Sequence, residues 1–132
     1  MKSAFSIDWL FSTQPRKQRK YRYNAPLHTR GKFLSVKLSK ELAKKHGVRS
    51  LRVRSEDKVL ITRGQFKGTN GPVEKVDLGR DRVYVKGAEL TKKEGGKVPY
   101  PIHPSNLVIT LIKDDKRRFK KVAVKAKEEA KE

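Results

Sequence analysis

Between residues 58 and 112 apolar and polar positions alternate in short runs: KVLITR (58–63), PVEKVDL (72–78), DRVYVKG (81–87) and NLVITLI (106–112). Each run is rich in Val and Ile and bounded by turn residues, which predicts half-buried strands. In the third, Val83 and Val85 face one way while Arg82, Tyr84 and Lys86 face the other, because side chains alternate across a strand. LGRD (78–81) predicts a tight connection with Gly79 in the left-handed position. EGG (94–96) predicts a second turn, between AELT and KVPYPI. Pro99 and Pro101 lack ladder donors, so that stretch belongs at an edge. Short strands at intervals of about ten residues predict a mainly β fold, a small barrel.

Outside this middle the pattern changes. Ser39 is placed to cap a helix over KELAKKH (40–46), with Glu41 in its first turn and Gly47 as its stop. Leu38 and Leu42 give it one narrow apolar face. NAPLHTRGKFL (24–34) reads as a second short helix, weakened by Gly31. The two ends show no periodicity and bury too little apolar surface to order themselves unaided. The chain thus divides into a lead (1–15), a basic arm with one or two short helices (16–50), a barrel (51–112) and a charged tail (113–132). Residues 16–24 of the arm are expected to gain order only on binding RNA.

Charge sharpens this picture. The chain of 132 residues carries 34 Lys and Arg against 14 Asp and Glu, a net +20. Residues 1–55 carry 13 of those net charges, residues 56–112 only three, and residues 113–132 four. A nearly balanced module between basic flanks points to a polyanionic partner, nucleic acid before an anionic membrane. There is no cysteine, which excludes disulfides and thiolate metal sites. No apolar run approaches the roughly 20 residues that span a bilayer. The opening MKSAFSIDWLF is broken by Asp8 and does not read as a signal peptide.

RGQFKGTNGPV (63–73) has the glycine density of a phosphate cradle, yet the spacing is wrong. A phosphate-binding loop needs G-x-x-x-x-G-K-[ST]. Here the gap from Gly64 to Gly68 is one residue short, Thr69 stands where Lys belongs, and a strand follows in place of a helix. As strand–turn–strand the stretch is coherent: Val59 and Ile61 point inward, and Gly64 and Gly68 supply backbone freedom. DKVLITRGQFKGTNGPVEKV resembles a KOW motif. NAPLHTR, LSKEL, VRSLRVRSEDKV and IHPSNLVIT around it are similar to the eukaryotic and archaeal large-subunit ribosomal protein that is the counterpart of bacterial ribosomal protein L24. The likeness spans residues 16 to 118. It implies an SH3-like (KOW) barrel with rRNA-bound extensions, early assembly of the large subunit and a place near the peptide exit tunnel. It also implies a ribosomal, cytoplasmic location, with nucleolar passage if the source is eukaryotic. SAFSIDWLFSTQP departs from the family's polar opening, and no family function is carried onto it.

The candidate RNA contacts follow from residue chemistry and from that likeness. Arg16, Lys17, Arg19, Lys20 and Arg22 can neutralise phosphates, and Tyr21 and Tyr23 among them can stack on unpaired bases. His28, Arg30 and Lys32 continue the basic segment. Arg49 precedes Arg52 and Arg54, which a strand would place on one face as paired phosphate forks. The likeness implicates Arg63, Gly64, Lys67 and Gly68, while Phe66 either faces a base or folds back over the barrel mouth. Lys116, Arg117 and Arg118 open the tail. His28, His46 and His103 lack ligand spacing, so no metal is expected, and no catalytic constellation or cofactor motif stands out. The expected partners are large-subunit rRNA and neighbouring ribosomal proteins, with no membrane and no small-molecule substrate. A KOW-bearing elongation factor would need a further α/β domain ahead of the motif. An RNA-processing enzyme would need paired carboxylates or a nucleophile, and a membrane-surface protein a long amphipathic helix that Pro15, Pro26 and Gly31 oppose.

Overall fold

The computed structural model of the protein describes residues 5–113, 115, 118 and 119. A 3-10 turn (Asp8–Phe11) leads into α1 (Pro15–Asn24) and α2 (Leu27–Phe33). Then come β1 (Ser35–Leu38), α3 (Lys40–His46), β2 (Ser50–Arg52), β3 (Lys58–Ile61), β4 (Asn70–Asp77) and β5 (Arg82–Val85). A hairpin of β6 (Glu89–Thr91) and β7 (Lys97–Pro99) is followed by a second 3-10 turn (Pro104–Asn106) and β8 (Leu107–Leu111). The four runs read from alternation are β3, β4, β5 and β8. The EGG turn joins β6 to β7, and Pro99 lies in that two-stranded hairpin, at an edge.

Six strands pair in the order β2-β1-β8-β3-β4-β5, antiparallel throughout except where β1 runs parallel to β8. Their inward positions make one core. Val36 and Leu38 of β1, Val59 and Ile61 of β3, Val83 and Val85 of β5, and Leu107 and Ile109 of β8 all belong to it. A bridge between Val83 and Ile102 brings the chain after β7 back against β5 and curls the sheet into a small barrel.

β1 was not legible as a strand. It lies inside the segment read as an arm, and Leu34, Val36 and Leu38 tie that segment into the barrel core. α3 forms as its residues dictate: Ser39 Oγ accepts from the Leu42 N–H at 3.3 Å, and Gly47 ends the helix at φ 64°.

The expected disorder of residues 16–24 gives way to helix. α1 has no apolar stripe, but Tyr21 is only 6% exposed, between the rings of Phe5 at 5.1 Å and Phe33 at 6.1 Å. Arg22 reaches Asp81 at 3.2 Å and lies 5.1 Å from the Phe33 ring centroid. Arg30 donates to the carbonyls of Ala25 (3.1 Å), Tyr23 (2.6 Å) and Gly79. Burying a phenyl-sized ring is worth roughly 1.5–3 kcal/mol, a half-exposed ion pair roughly 0–1 kcal/mol. The ring therefore holds α1, and the arginines set its position on the β4–β5 turn.

The β4–β5 turn itself differs from expectation. Asp77 Oδ1 accepts from the N–H groups of Gly79 (2.9 Å) and Arg80 (3.1 Å), closing a side-chain turn. The left-handed residue is consequently Asp81, at φ 53°, and not Gly79.

The first residues of the tail are also fastened. Asp57 is fully buried and accepts four hydrogen bonds: Arg54 N–H (2.9 Å), Lys113 N–H (3.0 Å), and Arg118 through Nη1 (2.6 Å) and Nη2 (2.7 Å). Phe119 stacks on His46 with centroids 4.2 Å apart. The rest of the expected tail, residues 114, 116, 117 and 120–132, lies outside the described residues.

The loop after β3 turns at Gly64 (φ 98°) and Gly68 (φ 90°), and the Gly68 N–H donates back to the Ile61 carbonyl at 2.8 Å. Nothing lies within 4 Å of a Cβ built at either glycine, so the cost of a side chain there is backbone strain alone. Gly64→Val and Gly68→Val are each expected to lower stability by about 1–3 kcal/mol, read from denaturation midpoints. Lys67→Ala, between them, should leave the midpoint unchanged; equal midpoints for all three would contradict the turn geometry.

Candidate nucleic-acid interface

The cations singled out from sequence separate into two groups. One group is engaged internally. Arg22, Arg30 and Arg118 make the contacts above, and Arg54 pairs with Asp115. The Arg52 guanidinium lies over Gly31, and a Cβ there would make it move aside. Arg52 and Arg54 are both exposed and line one hollow, with Arg54 paired to Asp115 there. Arg118 differs most from its expectation: its side chain is 2% exposed against Asp57, and it is not presented to a partner. Lys116 and Arg117 lie outside the described residues.

The second group faces outward. Arg16, Lys17, Arg19 and Lys20 lie along the outer side of α1, and His28 and Lys32 stand on the outer side of α2. The two tyrosines part company: Tyr21 is packed inside, whereas Tyr23 is 79% exposed. Lys67 is exposed at the loop tip; Phe66 is half-buried and folds back on Tyr100, centroids 5.2 Å apart.

Two grooves collect outward cations. One, of about 410 Å³, is lined by Lys37, Arg49 and Arg63 together with Ser35, Ser50, Ser105 and apolar residues. The strand pattern builds it: Ser35 and Lys37 occupy the outer positions of β1 while Val36 and Leu38 enter the core, and Lys37 stands opposite Ser50 of β2. The second, of about 180 Å³, runs from Arg63 past the loop to Arg82, Tyr100, His103 and Asn106. Arg63 belongs to both, and no carboxylate lines either. A larger hollow of about 650 Å³ is different, because Glu56 and Asp115 there face Lys113 and Arg54. Among the described residues, the side chains of Lys37, Arg49 and Arg63 have no hydrogen-bond or ion-pair partner.

Sequence reasoning named Arg49 and Arg63 and missed Lys37 and Arg82. Arg82 was readable as an outward position of an alternating strand, whereas Lys37 lies on β1, whose strand was not legible. What brings them beside Arg63 is pairing between distant strands. Among the described residues no cluster of His, Asp or Glu could hold a metal ion, and no helix is long and apolar enough to cross a membrane.

His103 sits at the rim of the smaller groove. Its Nδ1 accepts from the Ser105 N–H at 3.3 Å and lies 2.8 Å from Ser105 Oγ, which leaves the neutral ring's proton on Nε2. Burial, then the Arg82 and Arg22 guanidiniums, push its pKa below the ordinary imidazole value, with Asp81 pulling partly back.

The fold and its grooves define a small basic barrel protein that fastens some of its cations internally and presents others in carboxylate-free grooves. Residues 12–125 match the model of a ribosomal protein family, called L26 in eukaryotes and L24 in archaea. The chain is also 48% identical, over 121 residues, to the large ribosomal subunit protein uL24 of Korarchaeum cryptofilum (strain OPF8), an alignment covering 89% of this chain and 92% of that relative. The chain belongs to this family of ribosomal proteins, which are structural constituents of the ribosome and not enzymes. Residues 1–11, most of the apolar lead, lie outside the family match.

The depressed His103 pKa has a definite sign. The unfolded imidazole, near 6.5, takes up a proton more readily than the folded one, so acid favours unfolding. The contribution is intact above that pH and is lost as pH falls through the lower folded value. Between pH 7 and 5 the wild-type chain should lose more stability than His103→Asn, whose side-chain oxygen preserves the cap on Ser105. Parallel stability–pH curves for the two would contradict the assignment.

Proposed function

We propose that this protein binds large-subunit rRNA through the two grooves joined at Arg63, with α1 as a second contact surface. The observation that carries this is the group Lys37, Arg49 and Arg63, cations without internal partners among the described residues, in a groove without carboxylates. Phosphate oxygens are the complement of such a strip, and Lys and Arg contacts to them release counterions. Recognition is of RNA shape and backbone, since the A-form major groove offers side chains little sequence information. Arg16, Lys17 and Arg19 extend the contact along α1, and Tyr23 stacks on an unpaired base. Lys32, His28, Lys67 and the loop glycines Gly64 and Gly68 complete the surface. Family membership supports neighbouring ribosomal proteins as further partners, a role in subunit assembly and a position near the peptide exit tunnel.

Each phosphate contact contributes about 0.7–0.9 to the slope of log K against log[salt]. The triple variant Lys37→Gln, Arg49→Gln, Arg63→Gln should therefore flatten that slope by about two units on large-subunit rRNA fragments, with its melting temperature kept. Its co-sedimentation with large subunits should fail at a lower salt concentration than that of wild type. An unchanged slope would remove the groove from the RNA interface.

A further inference from the structure

The structure assigns a second, more specific task to the smaller groove: we propose that it receives one unpaired nucleotide of a folded RNA. The ring would lie against Phe66 and Tyr100 and the phosphate between Arg63 and Arg82. This rests on the RNA-binding reading and adds where a base is taken out of the stack.

Size restricts the occupant first. At about 180 Å³ the pocket falls below the roughly 300–1,000 Å³ of small-molecule sites, so a single planar ring suits it and a nucleoside triphosphate does not. The 62–68 loop also lacks the spacing of a triphosphate cradle, so the ring must come from a polymer held by its own backbone. The larger groove meets the pocket at Arg63, and a backbone following Lys37 and Arg49 therefore arrives at its mouth.

The lining has the three chemistries that a nucleotide needs. Phe66 and Tyr100 meet at 51° instead of stacking face to face, and both line the pocket. Base–aromatic stacking is available there and tolerates any base. Arg63 has no internal partner among the described residues, and Arg82 makes one hydrogen bond, from Nη1 to the Asp81 carbonyl at 3.3 Å, leaving its remaining N–H groups for phosphate. Among the described residues the Asn106 amide touches only Ser105 Oγ, at 3.5 Å, and His103 carries a proton on Nε2, so donors and acceptors for a base edge are at hand. With no carboxylate in the lining, a cationic or peptide-amine ligand finds no counter-charge.

The test uses the full-length chain and two RNA hairpins that are identical except for one single-nucleotide bulge. Wild type is expected to bind the bulged hairpin about tenfold more tightly, the value of one stacked base. Arg82→Gln and Phe66→Leu should each abolish that preference, so that the variant binds its two hairpins equally, with any loss of affinity for the plain hairpin small beside the loss for the bulged one. Arg82 is partly exposed, so its variant carries the test if Phe66→Leu lowers the melting temperature. Equal binding of both hairpins by wild type, or a preference that survives Arg82→Gln, would overturn the pocket and leave the wider RNA-binding reading standing. Failure to bind either hairpin would instead overturn the RNA-binding reading on which the pocket rests.

Discussion

The buried pair of Asp57 and Arg118 is the contact on which the placement of the other charges depends. Removing a carboxylate and a guanidinium from water is unfavourable by several kcal/mol each unless their hydrogen-bonding capacity is filled. Here the carboxylate takes two backbone N–H groups and a bidentate guanidinium, and Arg118 Nη2 also reaches the Arg52 carbonyl at 2.7 Å. Of the pair's polar side-chain atoms only Arg118 Nε is left without a partner among the described residues. Such a pair adds little net stability over an apolar contact, but removing either partner would strand a buried charge. It joins the turn before β3, the end of β8 and the chain beyond into one unit. Around that unit Arg54 meets Asp115, Lys113 meets Glu56, and Phe119 reaches His46.

The scarcity of carboxylates gives this arrangement its functional consequence. With 14 acidic side chains for 34 cations, few arginines can be neutralised internally. Asp57, Asp81 and Asp115 take Arg118, Arg22 and Arg54, and Arg30 turns to backbone carbonyls. The grooves beside Arg63 receive none. Lys37, Arg49 and Arg63 thus keep their charge in a groove lined by no carboxylate, and a polyanion gains from approaching there.

Much of the fold was legible because its signals are local. Alternation marked β3, β4, β5 and β8, Ser39 and Gly47 bounded α3, and glycine spacing marked the turn after β3. What escaped was decided by contacts across long stretches of chain. α1 carries no apolar period; one tyrosine and two arginines hold it, the latter reaching residues 59 and 49 positions away. β1 is four residues long and acquires its strand identity from pairing with β2 on one side and with the distant β8 on the other, Leu38 opposite Ile109. Gly79 looked like the left-handed residue because the carboxylate of Asp77 closes the turn in a way composition does not reveal. Candidate site residues were legible as types, since Arg49, Arg63 and Arg118 look alike in sequence. Burial alone separates Arg118 from the others.

Fastening and outward arginines differ in their access to reagent, which phenylglyoxal modification, mapped residue by residue in the free full-length chain and in its rRNA complex, can read. Arg49 and Arg63 should react in the free chain and be shielded by RNA, while Arg30 and Arg118 resist in both. Ready modification of Arg118 in the free chain, with shielding only when RNA is added, would contradict this division.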